Sequence, residues 1–306
     1  MPSEKSIEIR KTIVKDKVRD DIPISQSRRE WEEAALKIPL PAGIKTETEI
    51  LGGVPCLWVR EKQSYDDYVI VYIHGGGLTE GSAFTTREFA AHLTQVFRIP
   101  LLVVDYRLAP EHPFPVALED VKAVFKNLLK DRYTPEQIAL GGDSSGGGLA
   151  LSAIIAFRDD GDKLPACAFL ISPVVDLTFS GESMTTRADI DPFTSKEALI
   201  HAAKLYAGGA DLRSPLISPL FAELRGLPAT LIQVGDHEIL LSDSVRLAEK
   251  MNQNGTIAML KVWDSMWHVW HYYAYLPEAQ GALEEIRNFL YHTLQIGTTS
   301  VTEHKD

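Results

Sequence analysis

The chain is poor in cysteine, in long apolar runs and in positive charge. Only two cysteines, Cys56 and Cys167, occur among its 306 residues, and each lies within an apolar, strand-like run. We expect both to be small buried hydrophobic residues and not a disulfide pair or metal ligands. A reducing cytoplasm is the compartment that suits this composition best.

No stretch approaches the length of apolar sequence that a membrane-spanning helix needs, and the N-terminal MPSEKSIEIRKTIVKDKVRDD alternates charge without an apolar signal region. Neither export nor membrane insertion is therefore expected. Acidic residues outnumber basic ones by 42 to 31, which gives a formal net charge of -11. Such a chain repels phosphate backbones, so no nucleic-acid partner is expected.

What the sequence does contain is an alternation of short apolar runs with amphipathic stretches. β-like runs on both sides of Gly52-Gly53 predict an antiparallel hairpin over 44–60. Continuous apolar runs further on predict parallel strands buried on both faces; they are YVIVYIH, PLLVVDY, QIALGGD, ACAFLISPVV, ATLIQVG and IAMLKVW. Four of the intervening or following stretches have apolar residues at helical spacing; they are VALEDVKAVFKNLLKDRY, LALSAIIAFRDD, SDSVRLAEKMNQNG and PEAQGALEEIRNFLYHTL. Together they predict an α/β fold with helices on both faces of a mostly parallel sheet.

Two stretches interrupt this alternation, residues 1–44 and residues 178–211, and both contain helix-like sequence. We expect them to pack together as a cap over one edge of the sheet, although two peripheral helices without a role in binding are an alternative. Residues 45–177 and 212–295 then form the core in two parts. The polar end, 296–306, is expected to be disordered.

A G-x-S-x-G pattern, GDSSG over 142–146, lies between a predicted strand and a predicted helix. In this setting the pattern describes a nucleophile elbow, a strained turn that exposes a serine and needs small neighbours. Centring the pattern on Ser145 would put Asp143 where a glycine is required. Ser144 is therefore the candidate nucleophile.

HGGG, residues 74–77, follows the run YVIVYI. Acyl transfer places negative charge on the carbonyl oxygen, and backbone N–H groups of glycines can approach that oxygen closely. Gly75, Gly76 and Gly77 are the candidate oxyanion-hole residues here, together with Ser145, which follows the nucleophile.

These motifs, with DYRLAPEHPFPVALED and the late SMWHVW, resemble the hormone-sensitive-lipase-like family (family IV) of α/β-hydrolase carboxylesterases over residues 45–292. The resemblance implies an eight-stranded α/β-hydrolase sheet under a helical cap. It also implies a triad in the chain order serine, acid, histidine. His268 stands where the family keeps its catalytic histidine.

The triad acid is harder to assign, because the segment LIQVGDHEILLSD offers several carboxylates. The family's usual pattern is an aspartate followed by Pro-Leu. Setting Leu240 on that leucine places Glu238 at the acid position, and Asp236 remains the alternative. Either carboxylate can hold the imidazole in the required tautomer.

Several neighbouring residues are expected to be structural. His271 is expected to be a surface or packing residue, because the glutamate of the zincin pattern is missing from H-x-x-H. Asp143 is expected to brace the elbow, although an electrostatic influence on the histidine is an alternative. Asp105, Arg107 and Glu111 are expected to hold a proline-rich loop together through charge-assisted hydrogen bonds. Core packing is expected for most members of an aromatic group; they are Trp263, Trp267, Trp270, Tyr272, Tyr273 and Tyr275.

The resemblance implies a serine carboxylesterase that hydrolyses short- to medium-chain acyl esters through an acyl-enzyme, with a small-molecule ester as substrate. Neither a metal nor an organic cofactor is required for this chemistry. A non-catalytic small-molecule receptor on a hydrolase scaffold is an alternative, as is an amidase or lactone hydrolase that uses the same triad. A homodimer is left open.

Overall fold

The protein is described here from a computed structural model that covers residues 2–15 and 22–297. The centre of the fold is one eight-stranded sheet. Its strands, in chain order, are β1 (Ile44–Leu51), β2 (Val54–Glu61), β3 (Val69–Ile73), β4 (Leu101–Val104), β5 (Ile138–Asp143), β6 (Cys167–Ile171), β7 (Ala229–Gly235) and β8 (Ala258–Trp263).

The strands lie in the order β1-β2-β4-β3-β5-β6-β7-β8. β1 pairs with β2, and β2 with β4, in antiparallel fashion, while all the other neighbours are parallel. Gly52 and Gly53 close the β1–β2 turn at φ of 61° and 86°, in the left-handed region that favours glycine. The predicted hairpin and mostly parallel sheet are both confirmed.

The central strands β3 to β6 are buried on both faces, which explains why they contain few polar residues. In β3, Val69, Val71 and Ile73 belong to one hydrophobic cluster, while Ile70 and Tyr72 belong to another on the opposite face. Alternate side chains of a strand point to opposite faces, so a strand covered on both sides needs apolar residues at every position.

Helices surround this sheet. In chain order they are α1 (Glu4–Arg10), α2 (Ile24–Leu36), α3 (Arg87–Phe97), α4 (Val116–Asp131), α5 (Ser144–Asp159), α6 (Ser183–Thr186), α7 (Lys196–Ala207), α8 (Leu241–Gln253) and α9 (Pro277–Thr293). Buried residues of α3 and α9 share one cluster, and those of α4, α5 and α8 share the other. Helices on both faces were predicted. α3 lies outside the predicted helices, although Phe89, Leu93 and Phe97 repeat every four residues on its buried side.

Residues 1–44 and 178–211, which interrupt the alternation of strands and helices, contact each other. Arg10, at the end of α1, donates a hydrogen bond to the carbonyl of Ile190 at 2.6 Å. Lys15 donates another, also at 2.6 Å, to the carbonyl of Ala188. These contacts agree with the expected packing of the two segments, and the boundaries of the cap and core stay predictions.

The end of the chain that is expected to be disordered lies, from residue 298 onward, outside the described residues. Within the described ranges, none of the helices has the length and apolar character needed to cross a bilayer.

Candidate active site

Ser144 lies at the junction of β5 and α5. Its φ is 52°, in the left-handed region that non-glycine residues rarely adopt. The turn is tight enough to restrict its neighbours, because a Cβ on Gly146 would overlap the carbonyl oxygens of Ile73 and His74, at the end of β3. Gly146, two residues after Ser144, therefore lets α5 begin directly against the HGGG segment. This strained turn between a strand and a helix is the local geometry that the sequence predicts for Ser144.

Ser144, His268 and Glu238 form a continuous chain of contacts. The Nε2 atom of His268 lies 3.0 Å from the hydroxyl oxygen of Ser144. Its Nδ1 atom lies 3.1 Å from Oε2 of Glu238. The structure thus brings together three predicted residues from the ends of β5, β7 and β8. The contacts fit a proton on Nδ1, which leaves Nε2 to accept from the serine.

Burial and charge act in opposite directions on His268. Removal from water lowers the pKa of its imidazole, but the hydrogen bond and negative charge of Glu238 outweigh this effect, with help from Asp191 and Asp143, so the pKa is raised. Burial also raises the pKa of Glu238, although hydrogen bonds from His268, Gly235 and Ser172 stabilise its charged form. A buried imidazole beside a buried carboxylate is suited to taking up a proton.

The alternative acid, Asp236, lies away from this chain of contacts. Its Oδ1 atom accepts the backbone N–H of Ser265 at 2.6 Å, and about a third of its side chain is exposed. Glu238, in contrast, is fully buried. Of the two carboxylates between which the sequence left a choice, only Glu238 contacts His268.

The four predicted oxyanion-hole residues are not equivalent. The amide of Gly75 donates to Oδ1 of Asp143 at 3.1 Å, so it is already engaged in this structure, and its role as an oxyanion donor stays a prediction. Gly76 and Gly77 have φ of 112° and 66°, and their amides have no acceptor within the part of the chain that the structure describes. Ser145 is in the first turn of α5, where amides have no partner inside the helix.

Asp143 connects the elbow to the HGGG segment. Besides Gly75, its carboxylate accepts the hydroxyl of Tyr72 at 2.8 Å and that of Tyr272 at 3.4 Å. Burial raises the pKa of Asp143, and these donors act against that rise. Its contacts are those of a bracing residue, as expected from the sequence.

Ser172 belongs to the site but was not predicted from the sequence. Ser172 follows β6 and is completely buried. Its hydroxyl donates to Oε1 of Glu238 at 2.7 Å and accepts the backbone N–H of Val269 at 3.2 Å. A lone serine at the end of a strand carries no motif that would have singled it out.

A mostly apolar cavity opens beside the serine. Ser144, Ser145 and Gly77 line one part of it, and side chains of α7 line another. The remaining wall is built from apolar residues such as Leu177, Phe179 and Ile217. The segment 178–211 thus contributes directly to the wall of the candidate site.

His271 and several of the aromatic residues that were expected to be structural pack in the interior of the protein. His271 is buried and its Nε2 atom contacts Oε1 of Gln233 at 2.8 Å, so it is a packing residue and not a surface one. Burial lowers its pKa to about 3, which keeps the ring neutral. Trp267 and Trp270 are core residues, whereas Tyr272 and Tyr275 are partly exposed. Among the described residues, no group of three or more metal-ligating side chains comes together.

The proline-rich loop is held by ion pairs and hydrogen bonds, but to partners outside the predicted trio. Arg107 donates to both oxygens of Asp120 at 2.7 and 3.0 Å. Asp105 accepts the amide of Ala83, and Glu111 pairs with Arg28 of α2. The expected tying of the loop is therefore achieved through neighbouring segments.

Comparison with known proteins connects this geometry to a family. Residues 70–272 match the family described as having the alpha/beta hydrolase fold. The chain belongs to this family. An acetyl-hydrolase of Streptomyces hygroscopicus is 38% identical to it over 260 residues, which cover 85% of this α/β-hydrolase and 86% of that relative.

Solved structures give the same result. An esterase from the bacterial hormone-sensitive lipase family matches at a TM-score of 0.89 and 40% identity, covering 96% of this chain and all of the other. The crystal structure of EstE5 soaked with p-nitrophenyl butyrate matches at 0.90 and 35% identity, covering 96% and 99%. The expected fold, family resemblance and enzyme class of carboxylic ester hydrolase are confirmed.

Proposed function

We propose that this α/β-hydrolase is a serine carboxylesterase that cleaves short- to medium-chain acyl esters through an acyl-enzyme. The observation that carries the proposal is the contact chain from Ser144 through His268 to Glu238, with distances of 3.0 and 3.1 Å. Names of relatives, acetyl-hydrolase and esterase, support the same class of reaction.

In the first step, His268 removes the proton from Ser144 while the serine oxygen attacks the ester carbonyl carbon. Glu238 accepts the Nδ1–H bond and stabilises the imidazolium that forms. The protonated ring then gives its proton to the departing alcohol, which leaves an acyl group on Ser144. Water, activated by the same imidazole, releases the acid and restores the serine.

The negative oxygen of each tetrahedral intermediate needs hydrogen-bond donors in place beforehand. We assign this task to the amides of Gly76, Gly77 and Ser145. Gly77 and Ser145 line the same cavity as the nucleophile, which supports the assignment. Gly75 has a different role, because its amide ties the loop to Asp143.

The cavity supports a small, mostly apolar substrate. Its walls consist mainly of apolar side chains, and α7 closes one side of it. Apolar walls favour an alkyl acyl group by removing it from water, at about 0.8 kcal/mol per buried methylene. An amide or lactone would use the same attack, so a panel of acyl compounds separates these classes.

The proposal is tested by Ser144→Ala with p-nitrophenyl butyrate as substrate. We expect kcat to fall by about 10⁴-fold or more, because the nucleophile is lost, while the thermal unfolding midpoint changes little. A serine-directed organophosphonate should add to the parent protein at Ser144, seen by mass spectrometry, and not to the variant. Turnover by Ser144→Ala would rule out this nucleophile, and an unlabelled Ser144 would favour the receptor alternative.

A further inference from the structure

Ser172 lies between the loop that carries the candidate acid and the loop that carries the candidate base. It is completely buried. Its hydroxyl oxygen accepts a hydrogen bond from the amide of Val269, next to His268. The same hydroxyl donates its proton to Glu238. A single side chain therefore connects both loops.

The backbone of Ser172 is held in an unfavourable conformation. Its φ is 47°, in the left-handed region where glycine is free of strain and other residues are not. Its amide is fixed there by a 2.7 Å hydrogen bond to the carbonyl of Gln233 in β7. Strained residues persist where the surroundings demand them, and they concentrate at functional sites.

The carboxylate of Glu238 shows what the hydroxyl does. Its Oε1 atom accepts two hydrogen bonds, from the hydroxyl of Ser172 at 2.7 Å and the amide of Gly235 at 2.6 Å. Its Oε2 atom is left to face Nδ1 of His268. The terminal torsion of a glutamate is broad by itself, so these two donors set the plane of the carboxylate.

We infer that Ser172 is a positioning residue of the proposed triad, whose hydroxyl orients Glu238 and aligns the His268 loop with it. The inference rests on the proposed function, because it assigns Ser172 a task only if Glu238 and His268 act together. Without the hydroxyl, Oε1 keeps one donor and the amide of Val269 loses its acceptor.

Three substitutions separate positioning from plain stability. Ser172→Ala and Ser172→Gly both remove the hydroxyl, and we expect both to lower kcat for p-nitrophenyl butyrate by about tenfold to a hundredfold, the usual effect of a misplaced catalytic group, with KM within about twofold. Ser172→Gly relieves the backbone strain, so its unfolding midpoint should be higher than that of Ser172→Ala. Ser172→Thr keeps the hydroxyl and should keep kcat within about fivefold of the parent, although a β-branched residue is disfavoured at this φ.

Activity and stability should therefore rank the variants differently. Ser244→Ala is the matched control, since Ser244 is a buried serine of α8 whose hydroxyl has no partner among the described residues; its kcat should stay within about twofold of the parent. The inference is wrong if kcat simply follows the unfolding midpoint across the series, or if Ser172→Gly turns over like the parent. If Ser172→Thr does not fold, the Ala and Gly variants still test the inference. Equally lowered kcat values in these two variants, despite different unfolding midpoints, support the positioning role of Ser172.

The same series distinguishes the two proposals. Parent-like Ser172 variants beside an inactive Ser144→Ala would overturn the role of Ser172 and leave the esterase intact. An active Ser144→Ala would overturn the esterase mechanism, and the inference about Ser172 with it.

Discussion

At the scale of single residues, two carboxylates that follow β7 differ in their surroundings. Glu238 is buried and accepts hydrogen bonds from Ser172 and Gly235 beside its contact with His268. Asp236 is partly exposed and accepts the amide of Ser265. Hydrogen-bond donors stabilise the charged form of a buried carboxylate beside an imidazole. In the part of the chain that the structure describes, Asp236 has no hydrogen bond to His268.

The two carboxylates should respond very differently to neutral isosteric substitution. Glu238→Gln is expected to lower kcat by about 10⁴-fold, because an amide oxygen or NH₂ group no longer holds the imidazole in the productive tautomer. Asp236→Asn, the matched control, should change kcat by less than about fivefold. Steady-state kinetics with p-nitrophenyl butyrate measures both, and the reverse order of effects would assign the acid to Asp236.

The pH dependence of the reaction follows from the raised pKa of His268. The attacking step needs a neutral imidazole, so kcat/KM should rise with pH through this pKa, with a midpoint above the usual value of 6.5. Glu238→Gln removes the hydrogen bond and charge that raise the pKa, so the midpoint should move to lower pH. Residual kcat/KM measured between about pH 5 and pH 9 tests this, and an unmoved midpoint would show that Glu238 does not control the ionisation of His268.

At the scale of secondary-structure elements, α2 is joined to the segment that follows HGGG. Arg28 donates to the carbonyls of Thr79 and Ala109 at 2.8 and 2.7 Å, and pairs with Glu111. The predicted N-terminal cap segment therefore supports the loop that bears the proposed oxyanion donors. Because Glu111 is half exposed, the two carbonyl contacts should account for most of the effect on stability.

Loss of this connection should be measurable as stability. Arg28→Ala is expected to lower the free energy of unfolding by about 1–3 kcal/mol, because two carbonyls lose a charged donor. Its neighbour Arg29 is exposed and serves as the control, with an expected change of at most about 0.5 kcal/mol for Arg29→Ala. Urea denaturation of both variants decides the matter; equal changes would mean that α2 does not support the loop through Arg28.

The elements also show why some predictions succeeded. Strands β3 to β7 were predictable because they are almost completely buried and therefore mainly apolar. The helix-like sequence in 178–211 corresponds to α7, which begins after a capping serine, Ser195, and ends at a left-handed glycine, Gly208. The predicted run ACAFLISPVV is longer than β6, which ends at Ile171. Its end is set by the left-handed turn at Ser172, which a run of apolar letters does not reveal.

At the scale of the whole molecule, the negative charge sets how substrates approach. The net charge of -11 should slow the encounter with anionic esters at low salt and leave neutral esters unaffected. A cytoplasmic location and a homodimer stay predictions.

Two acetate esters form a matched pair for testing the influence of the net charge on substrate encounter. The ester of 4-hydroxybenzoate is anionic, and the ester of 4-hydroxybenzamide is neutral. Raising the salt from about 0.01 M to 0.2 M shortens the screening length from about 30 Å to below 10 Å. We expect kcat/KM for the anionic ester to rise by about twofold or more over this range, and that for the neutral ester to stay constant. If the ratio of kcat/KM for the two esters does not change with salt, the net charge of the protein does not influence substrate encounter at the site.

The sequence by itself determined the alternation of apolar strands with most of the helices, the sharp turn at Ser144 and the presence of glycine amides after β3, because each depends on residues that are neighbours in the chain. Only the tertiary structure placed Glu238, and not Asp236, against His268, engaged the amide of Gly75 with Asp143 and brought Ser172 to Glu238. These choices depend on distances between side chains far apart in sequence. Such distances are set by how the sheet is packed.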